Sequence, residues 1–291
     1  MLKSMTGYGR AEQTIGEKNY LVEIKALNGK QMEMQLKIPA LLKAFEFEIR
    51  NSLQEQLLRG TIDCLVTIKQ NGSAKPVVLN TDLIKAYYQQ IAELGKELNI
   101  QTNDVFSALL RLPEVVTPST EILSQDEFRE FTAVLNKAID DLNKHRLEEG
   151  AILEKDLLNR IEHIKIQEEK ILQLEPNRKI RIREEINKLL QEHVGAENFD
   201  HNRMEQELIY YIEKIDLHEE QIRLRQHCEY FKEILNGKEE AKGKKLSFIV
   251  QEMGREINTT GSKAYDAAIQ KCVVMMKDEL EKAKEQVLNV L

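Results

Sequence analysis

The chain has 291 residues and a formal net charge of −7, with 42 Lys plus Arg against 49 Asp plus Glu and a mean hydropathy of −0.46. This size and balance are typical of a soluble protein of two domains and exclude a nucleic-acid-binding surface that is basic over the whole chain. Charged residues make up 31% of the chain and aromatic residues 5%, with no Trp, and such a composition favours helices.

The sequence predicts neither secretion nor membrane insertion. Residues 1–10 lack the apolar core of a signal peptide, and no stretch approaches the roughly 18 apolar residues of a membrane span. The cysteines, Cys64, Cys228 and Cys272, are far apart and show no CxxC spacing, so neither a disulfide framework nor a zinc site is indicated. We therefore expect a cytoplasmic protein.

The first 70 residues alternate between apolar and polar side chains, which is the pattern of half-buried strands. Strands are predicted over residues 4–11, 20–27, 32–38 and 61–68. Asn28-Gly29 predicts a hairpin turn between the second and third strands. Apolar residues at spacings of three and four predict a helix over 41–57, and two further helices are predicted over 82–98 and 103–110.

Beyond residue 118 the strand pattern ends, and we place a domain boundary between residues 118 and 119. Amphipathic helices are predicted over 124–147, 151–174, 178–193, 203–236 and 262–289. Pro176 is expected to break one of them. The predicted fold class is α+β: an N-terminal α+β domain with a small antiparallel sheet in residues 1–118, and an all-α domain of long helices in residues 119–291.

A stripe of ionisable side chains is predicted on the helix over 203–236. At 100° per residue, Asp216, Glu220, Arg223 and His227 fall within about 40° of one line, with apolar residues on both sides, so the stripe points inward. Buried charges are costly unless they are paired. The stripe is therefore either an internal ladder of salt bridges or a functional site, and both interpretations stay open.

A second cluster lies beside the apolar helical face of residues 243–262. Glu252, Arg255 and Glu256 have i,i+3 and i,i+4 spacing, and two carboxylates with a guanidinium suit a divalent cation and a phosphate. The same spacing is that of a surface ion-pair network, which spacing alone favours. The polar segment 258–263 is predicted as a loop before the last helix, whose N-terminus either binds an anion or is simply capped.

Four segments of the chain together resemble the YicC (YloC) family of bacterial proteins. They are SMTGYGR at 4–10, VEIKALN at 22–28, LPEVV at 112–116 and GKKLSFIVQEMGREINTTGSKA at 243–264. The resemblance covers nearly the whole chain. It implies a cytoplasmic endoribonuclease that cleaves single-stranded RNA with help from a divalent cation and assembles as a hexamer around a channel.

The resemblance also implies which residues form the site. The C-terminal signature falls on Gln251, Glu252, Arg255, Glu256, Asn258, Thr259, Ser262 and Lys263. The helix signature falls on Asp216, Glu219, Glu220, Arg223 and His227, and the N-terminal signature on Thr6, Gly7, Tyr8, Arg10, Glu23 and Asn28. The family's mid-chain motif is retained at Arg146 and Glu149-Gly150. Gly29 stands where the family usually has a histidine, so a proton-transfer role there should pass to His227 or a metal-bound water.

The leading hypothesis is metal-assisted hydrolysis of RNA phosphodiester bonds in RNA turnover. The predicted catalytic residues are Glu252, Glu256, His227 and Arg255, with His227 as general acid or base. The predicted ligands of Mn²⁺ or Mg²⁺ are Glu252, Glu256, Glu220 and Asp216. The predicted RNA-binding residues are Arg10, Lys30, Arg223, Lys244, Lys245, Asn258 and Lys263. Aromatic residues are few, so we expect contacts that follow the backbone, with little sequence specificity.

The main alternative is a non-catalytic RNA-binding adaptor that delivers RNA to another nuclease, with the paired charges serving only as salt bridges between helices. A purely structural helical scaffold is a third hypothesis, which composition alone favours. The expected partners are single-stranded RNA, further copies of the chain and the machinery of RNA degradation, with no membrane. Metal-dependent cleavage that a point variant abolishes would distinguish the enzyme from the adaptor.

Overall fold

A computed structural model describes residues 1–29, 31–70, 78–98, 105–117, 123–194, 201–237, 239 and 241–291. The N-terminal part holds β1 (Gly7–Ile15), β2 (Lys18–Leu27), β3 (Met32–Lys37), a 3₁₀ helix (Ala40–Phe45), α1 (Glu46–Leu57), β4 (Gly60–Gln70), β5 (Val78–Leu79), α2 (Thr81–Glu97), α3 (Val105–Leu109) and β6 (Val116–Thr117). The remainder holds α4 (Gln125–Val194), α5 (His201–Lys214), α6 (His218–Asn236), α7 (Gly243–Lys263) and α8 (Ala267–Val287). The α+β class is confirmed. Among the described residues, no helix is both long and apolar enough to cross a membrane.

The main sheet is mixed, whereas the sequence predicted an antiparallel one. Its strand order is β1-β2-β4-β3, with antiparallel pairing of β1 with β2 and of β2 with β4, and parallel pairing of β3 with β4. Helix α1 provides the crossover that parallel neighbours require. The hairpin predicted at Asn28-Gly29 is wrong, because β4 lies between β2 and β3. The two-residue turn is instead Gly16-Glu17, where Gly16 has a φ of 59° that glycine adopts without strain.

The first half of α4 covers one face of this sheet. The closest approach is at Gly9 of β1, where a Cβ atom would lie 2.2 Å from the carbonyl oxygen of Ala138 and 2.6 Å from the amide nitrogen of Leu142. The sheet core contains Tyr20, Val22, Ile24, Leu53, Ile62, Phe131, Leu135 and Leu142. The glycine in the N-terminal motif is therefore required for helix α4 to pack on β1.

The second half of α4 belongs to a separate helical core that it shares with α6, α7 and α8. That core contains Leu157, Ile161, Ile164, Leu224, Phe231, Leu246, Met253, Val273 and Met276. The domain boundary predicted between residues 118 and 119 lies outside the described residues and stays a prediction. Residues 123–142, which were predicted with the helical domain, pack on the sheet, so that α4 takes part in both cores.

Helix α4 runs through Pro176 without ending, so the three helices predicted between residues 124 and 193 are one. Two residues after the proline, the buried Arg178 donates hydrogen bonds to carbonyl oxygens of three other residues. They are Lys263 and Ala264, both at 2.9 Å, and Ile215 at 2.7 Å. These tertiary bonds hold the chain in place where the hydrogen bond lost to proline would otherwise end the helix.

The helix predicted over 203–236 is two helices, α5 and α6, separated at residues 215–217. At this break the carbonyl of Ile215 accepts from Arg178 of α4, and the carbonyl of Asp216 accepts from Lys263 Nζ of α7 at 3.2 Å. The Asp216 carboxylate accepts from the amide of Leu217 at 2.9 Å. Asp216 therefore precedes α6 and does not lie on its helical stripe.

Helix α7 continues through Lys263, so the loop predicted over 258–263 is helical. The last helix, α8, begins only at Ala267. The carboxylate of Asp266 accepts from the amides of Ala268 and Ile269, at 2.8 and 2.9 Å. Of the two interpretations of this N-terminus, anion binding and simple capping, the structure shows capping, by a carboxylate of the chain itself.

Candidate functional site

The N-terminal and mid-chain motifs meet in a structural junction. The guanidinium of buried Arg146 donates to the carbonyl oxygens of Leu57, Met5 and Arg59, at 3.1, 3.2 and 3.4 Å. Burial lowers its pKa to about 10. Thr6 donates to Glu149 at 2.8 Å, and a Cβ atom at Gly150 would lie 2.0 Å from the Leu2 carbonyl oxygen. These residues hold β1 on α4.

Gly7 lies against α4 beside Arg146, and Asn28 donates to the Leu288 carbonyl at the end of α8 at 2.8 Å. Tyr8, Arg10 and Glu23 lie on the sheet face opposite α4, because alternate residues of a strand face opposite sides. The Tyr8 hydroxyl donates to Glu23 at 2.7 Å, and Arg10 pairs with Glu12 at 2.9 Å on the exposed face. Arg10 thus lies apart from the C-terminal signature. Lys30, the other RNA-binding residue predicted in this region, lies outside the described residues.

Helices α6 and α7 run antiparallel in a register that two contacts define. Lys242 Nζ, just before α7, donates to the Leu235 carbonyl near the end of α6 at 2.5 Å, and Lys263 at the end of α7 pairs with Glu220 at 2.7 Å. Because both helices rise 1.5 Å per residue, counting from these two contacts places His227 level with residues 250–256 of α7, the stretch that carries Glu252 and Glu256. We call the exposed line between the helices the α6/α7 seam. It is formed by Arg223, His227 and Tyr230 of α6 and by Glu252, Glu256 and Thr259 of α7.

The predicted inward stripe is only partly inward. Glu220 is buried, His227 is half-buried, and Arg223 is exposed and pairs with Glu219. Asp216 pairs with Lys179 of α4 at 2.9 Å. Burial acts to raise the pKa of Asp216, but Lys179 and the backbone amides outweigh it and hold that pKa below its ordinary value. The buried and half-buried carboxylates of the stripe therefore find their cations on α7 and α4, and not along α6.

The four predicted metal ligands do not lie together. Glu220 is level with Lys263, about 10 Å along α7 from Glu256, and Asp216 is bound to Lys179. In the part of the chain that the structure describes, no three His, Cys, Asp or Glu side chains are grouped so that they could hold a metal ion. Glu252 and Glu256 are one turn apart on one side of α7. Such a pair fits Mg²⁺ or Mn²⁺ held by one or two carboxylates together with waters and substrate phosphates.

A groove runs along the other side of α7, in two parts of about 500 and 490 Å³ that share Ser247 and Gln251. We call it the α7/α8 groove. The first part lies between the start of α7, the end of α8 and the turn after β2, and its lining includes Asn28, Gly29, Arg59, Lys244, Phe248 and Leu288. The second part lies between α7 and α8, and its lining includes Gly254, Arg255, Asn258, Glu281 and Lys284.

Gly29 shapes the first part of the groove by the close approach of its neighbours. A Cβ atom there would lie 3.0 Å from both the amide nitrogen and the hydroxyl of Thr61. A histidine at this position, as the family resemblance implies, would therefore need the start of β4 to shift. The departure from the family pattern leaves this wall of the groove without a side chain.

The predicted RNA-binding residues of the C-terminal signature separate into two groups. Lys244, Arg255 and Asn258 line the α7/α8 groove. Lys245 instead pairs with Glu239 at 2.5 Å, a hydrogen bond that raises its pKa, and Lys263 is held by Glu220 and by the carbonyl of Asp216.

Sequence reasoning missed several cavity-lining residues, among them Phe248, Arg59 and Lys284. A signal for Phe248 was available. It lies off the apolar face of α7 that Leu246, Ile249 and Met253 define, so its ring was not needed for the core. An apolar side chain outside the buried face of an amphipathic helix indicates a surface with another use.

Comparison with known proteins agrees with the family resemblance. Residues 2–155 match the family model for the N-terminal region of YicC-like endoribonucleases, and residues 167–291 match the model for their C-terminal region. The probable endoribonuclease YicC of Clostridioides difficile is 30% identical over 298 residues, and that of Haemophilus influenzae is 31% identical over 299 residues. Both comparisons cover 100% of this chain and 100% of the relative. The chain therefore belongs to the YicC-like endoribonuclease family.

Proposed function

We propose that the protein is an endoribonuclease that cleaves phosphodiester bonds of single-stranded RNA at the α6/α7 seam. The observation that supports this site is the register of α6 and α7, in which the half-buried His227 lies level with the stretch of α7, residues 250–256, that carries Glu252 and Glu256. An imidazole and a carboxylate at one level can divide the proton transfers that phosphodiester cleavage needs between them.

In this proposal each side chain of the seam has one task. His227 transfers a proton at a reacting oxygen, and the exposed guanidinium group of Arg223 binds the scissile phosphate. Arg255 lines the groove side of α7 and reaches Glu252 of the seam at 3.1 Å, so we assign it to the same phosphate from that side. Glu252 and Glu256 hold the predicted divalent cation, which when bound would polarise a phosphate oxygen. Lys263 is engaged by Glu220 and Asp216, so we assign it to the alignment of the helices.

Several expectations from the resemblance accompany this proposal. The RNA strand would pass from the seam over Arg255 into the α7/α8 groove, where Lys244 and Asn258 lie. Assembly of six copies around a channel, manganese as the preferred metal, cytoplasmic location and contact with the machinery of RNA degradation remain predictions.

The test is cleavage of an end-labelled single-stranded RNA with Mn²⁺, with Mg²⁺ and with EDTA. We expect EDTA and Glu256→Gln each to abolish cleavage, and His227→Ala to slow it by at least about 100-fold. His145→Ala is the matched control, because His145 is exposed on α4 away from the seam, and it should cleave like the wild type. Mapping the product ends would then show whether the 2′-hydroxyl takes part.

Two results would contradict the proposal. Wild-type cleavage by a correctly folded Glu256→Gln variant would remove the seam as the site. Binding of RNA without cleavage under any of the three metal conditions would favour the adaptor, for which the paired charges are only contacts between helices.

A further inference from the structure

The residues that line the first part of the α7/α8 groove differ in net charge from the chain as a whole. The whole chain carries a net charge of −7, yet none of the residues that line this cavity is acidic and two of them, Arg59 and Lys244, are cationic. Its floor is apolar, with the buried Met5 and Val287. A cavity of about 500 Å³ with an apolar floor and a cationic rim suits a small anionic ligand with an apolar part.

The cations of this rim retain donors for a ligand. Among the described residues, none forms an ion pair with Lys244, whereas its neighbour Lys245 is paired with Glu239. Arg59 donates through Nη2 to the Val290 carbonyl at 2.8 Å, and among the described residues nothing accepts from its Nη1. A Cβ atom at Gly243 would lie 3.0 Å from Arg59 Nη2, so the guanidinium lies beside the start of α7 and hence close to Lys244.

Phe248 provides a flat apolar surface at the same place. Its side chain is 59% exposed, and none of the aromatic contacts among the described residues involves it. It follows Lys244 by four residues on α7, so the two side chains lie on the same side of the helix, one turn apart. An exposed phenyl ring one turn from an unpaired ammonium group matches the two parts of a nucleotide, a base and its phosphate.

We propose that this part of the groove binds one nucleotide of single-stranded RNA, with the base stacked on Phe248 and the phosphate between Lys244 and Arg59. Every base has a π-face, so the site holds a nucleotide of any sequence. It does not accept a base within a duplex, whose faces are covered by neighbouring base pairs. This inference rests on the proposed function, because it takes RNA as the ligand, and it adds an aromatic contact to the backbone contacts expected from the sequence.

The first experiment measures affinity by fluorescence anisotropy in EDTA, so that binding is read without metal-assisted cleavage. The probes are a labelled single-stranded RNA and an oligonucleotide of the same length with tetrahydrofuran spacers in place of its bases. We expect Phe248→Ala to weaken binding of the RNA about tenfold and Phe248→Tyr to bind like the wild type. The loss in Phe248→Ala should fall below about twofold with the spacer oligonucleotide, which has no base to stack. The control is Phe47→Ala, since Phe47 is a 73% exposed phenylalanine on α1, and it should change neither affinity.

A second experiment measures tryptophan fluorescence and uses the absence of tryptophan from the chain. Phe248→Trp gives a protein with a single indole, whose fluorescence should be quenched by the RNA and not by the spacer oligonucleotide. Light scattering on each variant reports the molar mass at the same time.

Three outcomes would overturn the nucleotide site. They are an equal loss of affinity for both oligonucleotides in Phe248→Ala, wild-type affinity in that variant, and a fall in its molar mass, which would make Phe248 a contact between copies of the chain. These experiments, together with the cleavage assay, distinguish a failure of the proposed function from a failure of the nucleotide site. If the wild type neither binds nor cleaves RNA, the endoribonuclease proposal is contradicted. If the wild type cleaves RNA and Phe248→Ala binds it equally well, only the nucleotide site is contradicted.

Discussion

Lys263 Nζ donates to the Glu220 carboxylate at 2.7 Å and to the Asp216 carbonyl at 3.2 Å, so one amine determines both where α6 begins and how it aligns with α7. The Glu220 side chain is only 7% exposed, while that of Lys263 is 29% exposed. The same alignment sets His227 level with the stretch of α7 that carries Glu252 and Glu256. The ion pair thus controls the geometry of the α6/α7 seam from one end.

Loss of this amine should cost stability. We expect Lys263→Met to lower the free energy of unfolding by about 2–3 kcal/mol, because the Glu220 carboxylate would stay buried without its cation while the exposed part of the pair limits the loss. The double variant Glu220→Gln/Lys263→Met should recover part of that loss in urea unfolding. The control is Lys284→Met, whose partner Glu281 is on the surface and which should change stability by less than about 1 kcal/mol. A loss no larger than that of the control would contradict a role for Lys263 in holding the helices.

The contact between β1 and α4 predicts a large effect from a single methyl group. In Gly9→Ala the new Cβ would meet backbone atoms of Ala138 and Leu142, which cannot move without separating the helix from the sheet. We expect a loss of about 3 kcal/mol or failure to fold, measured by thermal unfolding. In Gly254→Ala the nearest atom is the end of the flexible Leu280 side chain at 3.3 Å, so this control should stay within about 1 kcal/mol of the wild type. Equal stability of the two variants would contradict this packing.

Glu168 should give stability a measurable pH dependence. This carboxyl is buried on α4 and accepts from Arg225 at 2.7 Å. Burial raises its pKa above the ordinary value of 4.5, and Arg225 offsets the shift only in part. The folded state therefore keeps the proton to a higher pH than the unfolded state, so the contribution of this group is fully present below about pH 4.5 and is lost as the pH rises through the raised pKa.

The measurement is urea unfolding between about pH 4 and pH 7. Glu168→Gln lacks the titrating group, so its stability relative to the wild type should increase over this range. Glu169→Gln changes an exposed neighbour, and its difference from the wild type should stay nearly constant. A constant difference for Glu168→Gln as well would show that burial does not control this carboxyl.

The two lysines at the start of α7 should differ in their effect on RNA binding. Lys244 lines the α7/α8 groove, whereas Lys245 is held by Glu239 on its other side. We expect Lys244→Gln to weaken RNA binding several-fold and to lower the salt slope of log K by about 0.7, the value for one phosphate contact on a single strand. Lys245→Gln should change both quantities less. Titrations at several salt concentrations check this, and a larger effect at Lys245 would place the RNA on the opposite side of α7.

Local patterns were enough to predict much of the fold. Period-two alternation identified the strands around Val22 and Ile62, and helical spacing identified α1, α2 and α8, because each pattern is set by residues close in sequence. The parallel β3, the continuity of α4 through Pro176 and the break before α6 were not predicted. Each depends on contacts across the fold, such as the bonds of Arg178 to the carbonyls of Ile215 and Lys263.

The candidate site was predictable to a similar extent. The register of α6 and α7 brings His227, Glu252 and Glu256 to one seam, while Glu220 and Asp216 lie elsewhere with their own cations. A helical wheel of one helix cannot show this, because it assumes an unbroken helix and contains no information about the partner across the seam. Phe248 was missed for a simpler reason: an apolar residue in an amphipathic helix is usually assigned to the core.

Helix α4 takes part in both hydrophobic cores, and it is synthesised after the sheet that its first half covers. The apolar face of the sheet is complete when Val66 has been made, but the residues of α4 that cover it extend from Phe131 to Leu142. Val66 and Leu142 are separated by roughly 75 residues, which takes roughly 4–15 s at the usual rates of translation. During that interval α1 covers part of this face through Leu53 and its neighbours, but the part that α4 covers stays open. The solubility of the nascent sheet on the ribosome therefore depends on what shields that part until α4 emerges.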